Sequence, residues 1–290
     1  EGGRGMSGGR HRVQGAFVVA EMAMALVLLA GAGLMIRSLT RLWGVDPGFN
    51  SRNVLTVGLT LPQSMMAASP DAIRAAFREF DHKIASIPGV EAVSQTWGSV
   101  PMAGDDEQTF WFEGQPKPAN PNDRSWAIDY IVEPGYLKAM EIPLLRGRFF
   151  TNQDNEHSPR VVVVDDVFAR KYFPNENPVG KRILRDDASP EEIVGVVGHV
   201  KQWGLDSDDT QQLRAQLYIP VMQMPDDYVK STGSTAFMIR VAGDPAASFA
   251  SVRRAVQEMS NQQVIYAEET MEQVVSRSVA SYRFLMILLA

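Results

Sequence analysis

The sequence predicts an α+β fold: a split β-α-β domain of ferredoxin-like type with an inserted α+β lobe, following an N-terminal transmembrane helix and leading into the start of a second one. Three observations predict it. "FVVAEMAMALVLLAGAGLMIRS", Phe17 to Ser38, is as long as a bilayer is thick; a strand-helix-strand pattern occurs twice, towards either end of the polar region; and the chain closes on a second apolar run, "FLMILLA".

The Gly-rich opening, "EGGRGMSGGRHR", predicts a flexible leader over residues 1–15. From Ala16 to Ile36 the only charge is Glu21. A helix over those roughly 21 residues, at about 1.5 Å each, spans a hydrocarbon core of about 30 Å. The run exceeds a signal-peptide core, and it lacks the polar stripe of a soluble-core helix. Ala16, Ala20 and Ala23, with the "AGAG" run, offer close-packing surfaces to other membrane helices. Glu21 lies roughly 7 Å into the span, which leaves open an interfacial position or a contact inside a helix bundle. Arg4, Arg10 and Arg12 precede the span and Arg37 and Arg41 follow it, a slight bias that favours a cytoplasmic leader and an external domain.

Beyond the bilayer the helical spacing continues through Ile36, Leu39 and Trp43 until "VDPGFN" stops it, giving a helix and stalk over 16–46. Met271, Val275 and Val279 repeat the spacing ahead of the second apolar run, giving a stalk and the start of a second span over 274–290. The two stripes read as paired stalks or as faces packed on the domain itself. The first β-α-β copy, within 47–108, is "NVLTVGLTL", a helix from Pro70 with Ile73, Phe77, Phe80, Ile84 and Ile87 on one face, then "PGVEAVSQT". The second, within 221–273, is "STAFMIRVAG", a helix from Pro245 with Phe249, Val252, Val256 and Met259, then "QQVIYAEET". Residues 109–220 form the inserted lobe, with strands at "QTFWFEGQ", "SWAIDYIV", "RVVVVDD", "EEIVGVVGHV" and "LYIP" and short helices at "GYLKAM" and "VFARKYF". A piece from Asn53 to Gln273 contains both copies and the lobe, and is expected to fold alone.

Composition and motifs then limit the chemistry. The net charge of −6 is spread over separate pairs, among them Asp105-Asp106, Asp165-Asp166 and Asp226-Asp227, which argues against nucleic acid and anionic headgroups as partners. Absence of cysteine removes disulfides and thiolate metal sites. "NENPVGKR" has Gly180-Lys181 but neither the first glycine nor the hydroxyl of a P-loop, and "VGVVG" lacks the dinucleotide fingerprint. His11, His82, His157 and His199 form no ligand spacing, and Ser99 in "WGSVP" sits in no nucleophile elbow. No catalytic residue, cofactor site or metal site is expected.

At this point the residues resemble a family. "VVAEMAMALVLLAGAGLMIRSLTRLWGVDPGFNSRNVLTVGLTLP", "IPGVEAVS", "VEPGYLKAMEIPLLRGRFF", "VVVVDDVFARKYFPNENPVGKRI", "EEIVGVVGHV" and "SVASYRFLMILLA" occur in an order similar to that of MacB/FtsX-type ABC transporter permeases. Among these the arrangement most resembles the acidobacterial duplicated orphan permeases. The resemblance implies a first membrane helix and a periplasmic domain on the bacterial inner membrane. It makes the two β-α-β copies a porter-like part and the lobe a sabre-like insertion. It also implies a cytoplasmic ABC ATPase, a second permease half or homodimer partner, and an extracytoplasmic protein or small molecule as substrate. Coupling by mechanotransmission would then run through Ile36, Leu39, Trp43, Met271, Val275 and Val279. The alternatives from other classes are a ligand-sensing ectodomain of a two-span receptor and a membrane-anchored hydrolase. The sequence is expected to be a fragment, its second span cut short.

Overall fold

A computed structural model describes residues 8–103, 106–120, 123–185, 189–205, 214–259 and 264–278. It divides into two units, one holding the N-terminal helix and the other running from Asp46 to Ser278.

Helix α1, Gly8–Trp43, is one continuous element. It begins inside the expected flexible leader, which is therefore helical from Gly8; no proline interrupts "RHRVQ", and the span propagates the helix backwards once nucleated. Gln14–Arg37 is long and apolar enough to cross a membrane, and side chains around its circumference, including Phe17, Val27 and Leu29, are exposed. A helix apolar on every side requires an apolar medium.

In the second unit, the first β-α-β copy is β1 (Val54–Thr60), α3 (Pro70–Ala85) and β2 (Val90–Gly98), with a short helix α2 (Gln63–Met66) preceding α3. The second is β10 (Ser234–Val241), α7 (Pro245–Met259) and β11 (Val264–Thr270). Their strands interleave in the order β11-β1-β10-β2, every neighbour antiparallel. This is the ferredoxin-like order, and each copy encloses one strand of the other, so neither sheet half is complete alone. Ser69 caps α3 by accepting from the Ala72 amide at 3.3 Å, with Pro70 at the first helical position. Phe77, Phe80 and Ile84 then pack with Leu55, Val57, Leu59, Phe237 and Ile239, each contributing about 1.5–3 kcal/mol of burial.

Between the copies run β3 (Glu107–Phe112), β4 (Ser125–Val132), α4 (Tyr136–Met140), β5 (Leu144–Gly147), β6 (Val161–Asp165), α5 (Asp166–Tyr172), β7 (Arg182–Leu184), β8 (Pro190–Val197), β9 (Ala215–Pro220) and α6 (Asp226–Ser231). Among the described residues this lobe has no separate sheet. Strand β4 pairs with β2 through Tyr130–Val132 and with β3 through Ser125–Ile128, so one sheet of eleven strands runs through both parts. The other edge of β4 pairs in parallel with β9, and the path β4-β3-β7-β8-β6-β9 thereby returns to β4. The "VVVV" of β6 is buried on both faces between β8 and β9, which is why it shows no polar alternation.

Candidate functional junction

The residues that directly follow α1 in the chain are held by a dense set of bonds. Asp46 Oδ1 accepts from the Gly48 amide at 2.8 Å, an Asx turn that ends in Pro47-Gly48. Gly48 has φ +82°, and a Cβ there would sit 2.0 Å from the His199 carbonyl oxygen. Only glycine permits both that dihedral and that approach. Lys201 N donates to Pro47 O at 2.9 Å, which fixes the segment to the loop after β8. On the other side, Asn50 N donates to Met140 O at 2.9 Å and Asn50 Nδ2 to Glu141 at 2.8 Å, at the C-terminal end of α4. Gly135, ahead of α4, has the Val93 carbonyl where its Cβ would be, 2.0 Å away, so glycine lets α4 lie flat on β2.

Arg240 completes the clamp. It stands on β10, 5% exposed, on the face opposite Phe237 and Ile239 by strand alternation. Its guanidinium donates to Ala139 O (2.9 Å), Arg52 O (3.0 Å) and Asn50 O (2.9 Å), with Glu141 at 3.3 Å. The planar fork of donors is what allows one side chain to bind three carbonyls. Behind the loop, His199 Nδ1 lies 2.6 Å from Asp165, which also caps α5 through the Phe168 amide. Burial pushes the Asp165 carboxyl above its ordinary range, while the bond to His199 opposes that shift.

At the far end, α8 (Met271–Ser278) starts with a reciprocal cap: Thr270 N donates to Gln273 Oε1 at 2.8 Å and Gln273 N to Thr270 Oγ1 at 3.2 Å. Met271 and Val274 are buried, on a helix that packs on β1 and β11.

These placements sort the residues expected from sequence. Ala16, Ala20, Glu21, Ala23 and Ile36 are exposed on α1. Leu39 and Trp43 lie on its backbone path, their side chains outside the described residues, and Val279 and the expected second span are likewise outside. Of the stripe Met271, Val275, Met271 is fully buried on the domain and Val275 half-buried, and Val274 is buried beside them. Gly48, Asn50, Glu141 and Arg240 were not anticipated. The available signals were "DPG" at the end of a long helix and an arginine inside an otherwise apolar strand.

The limits Asn53 to Gln273 cut through this arrangement. A chain trimmed to them loses Phe49, two of the carbonyls on Arg240, and Val274. It is expected to melt roughly 5–15 °C below a chain of residues 46–278. Equal melting temperatures in a thermal scan would show that the clamp adds nothing.

Comparison with known proteins places this architecture. Residues 16–259 match the family model described as MacB-like periplasmic core domain. A macrolide export ATP-binding/permease protein MacB of Aggregatibacter actinomycetemcomitans is 34% identical over 68 residues, which is 23% of this chain and 10% of that protein's length. The crystal structure of the periplasmic region of MacB from Actinobacillus actinomycetemcomitans superposes with a TM-score of 0.50 at 15% identity, covering 80% of this chain and 94% of that one. The extracellular domain of the ABC-type transporter YknZ from Gram-positive bacteria gives 0.44 at 14% identity, covering 73% of this chain and all of that one. With the family model extending from within the apolar helix through α7, the chain belongs to the MacB-like periplasmic core domain family.

Proposed function

We propose that the chain is the extracytoplasmic domain and first membrane helix of a MacB/FtsX-type permease, a non-catalytic part that couples a cytoplasmic ABC ATPase to events outside the membrane. Family membership and the apolar helix support this reading. In it, α1 crosses the bacterial inner membrane and the domain faces the periplasm. The β1-α3-β2 and β10-α7-β11 copies correspond to the porter-like part, and β3 to β9 to the sabre-like lobe. A second permease half or a second copy completes the membrane portion, and the substrate is an extracytoplasmic protein or a small molecule.

The observation that carries the coupling is the clamp after α1. A displacement arriving at Asp46 meets no slack linker; it passes through hydrogen bonds of about 3 Å to α4 and β10. In this proposal the stalk residues Ile36, Leu39 and Trp43 deliver the motion, and Met271, Val275 and Val279 return it. The chain has no cysteine, so single pairs such as Leu39→Cys with Val275→Cys, or Trp43→Cys with Val279→Cys, can be oxidised in the full-length protein with its ATPase partner. Disulfides require Cα atoms within about 7 Å. Efficient crosslinking with altered ATPase-coupled output and an intact domain is the expected result. Pairs that never form, or locked pairs that behave as the reduced protein does, remove the stalk mechanism.

A further inference from the structure

A cavity of about 250 Å³ lies at the seam between the ferredoxin-like sheet and the lobe. Helix α3 contributes Asp81 to its wall, the turn from β4 into α4 contributes Glu133, and the stretch between β5 and β6 contributes Asp154. Between these polar groups the wall is apolar, with Val93 of β2, Val132 of β4 and Val221 after β9 buried there. His82, Thr151 and Asn152, all exposed, complete the wall and connect the cavity with solvent.

Two acids in this wall lack a counter-cation. Glu133 is 5% exposed, and its Oε2 accepts from the Gln95 backbone amide at 3.3 Å. Asp81 Oδ1 is buried without a hydrogen-bond partner. The arginines nearby are committed to other acids. Arg78 Nη2 donates to both oxygens of Glu156, at 2.7 and 2.6 Å, and Arg148 binds Asp154 through Nη1 and Nη2 at 2.8 and 2.9 Å. His82 follows Asp81 on α3 and adds positive charge only when protonated. Burial raises the Glu133 carboxyl well above its ordinary range and raises Asp81 as well, as it does for acids whose desolvation no ion pair offsets.

A buried carboxyl without a partner is costly, and a cation placed beside it offsets that cost. Among the described residues no three of His, Asp and Glu converge as ligands for a metal ion, and the apolar part of the wall offers a metal no further oxygens. An organic cation uses both kinds of wall. An apolar cavity of about 150 Å³ accepts benzene, so one of about 250 Å³ accommodates a ring carrying a short charged arm.

We propose that this cavity binds a small organic ammonium ion, its nitrogen donating to the Asp81 and Glu133 carboxyls and its hydrocarbon body lying against Val93, Val132 and Val221. A molecule so placed touches α3, β2 and the lobe at once. Its occupancy fastens the seam between the two parts of the domain.

The test uses the 290-residue chain in micelles of an uncharged detergent and needs no ATPase, so it stands or falls apart from the permease reading. Isothermal titration at pH 8 compares benzylamine, cationic at that pH, with benzyl alcohol, its neutral counterpart of the same size. Benzylamine is expected to bind at least about tenfold more tightly, the least that a hydrogen bond between charged groups contributes. Glu133→Gln and Asp81→Asn keep the shape of the wall and remove a charge. Each is expected to lose about tenfold in affinity for benzylamine and to bind benzyl alcohol as the wild type does. Because a variant can shift the fold, amide hydrogen exchange of the wild-type chain with and without benzylamine supplies a second measurement, with protection expected to rise in residues 130–136 and 219–222. Equal affinities for the two probes, folded variants that bind benzylamine as the wild type does, or protection that rises elsewhere or not at all each overturns the site.

Discussion

Arg185→Ala is expected to destabilise the domain by about 3–5 kcal/mol, and by more at pH 8 than at pH 5. Arg185 is buried between the two sides of the lobe. Its Nε and Nη2 hold Glu191 at 2.7–3.1 Å, and its Nη1 reaches Asp129 at 3.3 Å and Gln108 at 3.2 Å. Glu191 comes from β8, Asp129 from β4 and Gln108 from β3, so one side chain ties β8 to the paired strands β3 and β4, from which β7 separates it in the sheet. Removing it leaves two buried acids without its charge, Glu191 keeping Arg160 at 3.9 Å. Breaking a buried charge network from one side has a cost of the size given.

The pH dependence has its own cause. Burial pushes the Asp129 carboxyl up to about 7, with Arg185 opposing the shift and Glu191 and Asp106 adding to it. Since the folded value is raised, stability from this group is complete at acid pH and is lost as pH climbs from about 4 through about 7. Without Arg185 the acid titrates higher still, which widens the deficit at pH 8. Denaturant midpoints of wild type and variant at pH 5 and 8 measure both effects. A deficit below about 1 kcal/mol, or one that is the same at the two pH values, contradicts this account. A triple change of Arg185, Glu191 and Asp129 to apolar residues of similar volume is expected to recover most of the loss, because a well-packed apolar core often equals a buried ionic one.

The second large effect is expected from Arg240→Ala, about 2–4 kcal/mol, with loss of coupling in the assembled protein. Three carbonyls lose a charged donor in a single substitution, and each such bond contributes about 1–3 kcal/mol. Arg240→Met separates packing from bonding. It keeps most of the buried stem and removes every donor, so it is expected to fold more stably than the alanine variant and still to release the segment Asp46 to Asn53. Under the proposed function, the methionine variant in full-length protein hydrolyses ATP at its basal rate while coupled output falls. Hydrogen exchange at Phe49 to Arg52 reports the release directly. Unchanged protection there, with unchanged coupling, would remove Arg240 from the path.

How much of this was legible beforehand differs from residue to residue. Phe77, Phe80 and Ile84 could be assigned to the core from spacing alone, because a helix with one wet face repeats its apolar positions every three or four residues. Val161 to Val164 could be assigned as a strand buried on both sides, because an unbroken β-branched run has no face left for water. Arg240 gave no such signal. It is a charged residue in an apolar strand, and its meaning depends on Asn50, Arg52 and Ala139, all distant along the chain.

The sequence by itself determined the membrane-sized helix, the two β-α-β copies and the turn at Pro47-Gly48, since length, periodicity and backbone dihedral preference are local properties. Only the tertiary structure decided that β2 and β4 join the lobe to the ferredoxin-like sheet, that Met271 turns inward with Val274, and that Arg240 clamps the segment after α1. These depend on which strand edges meet and which buried polar groups find a partner. Such choices are made by the whole chain at once, because an unpaired edge or an unsatisfied buried donor costs free energy wherever in the sequence its partner lies.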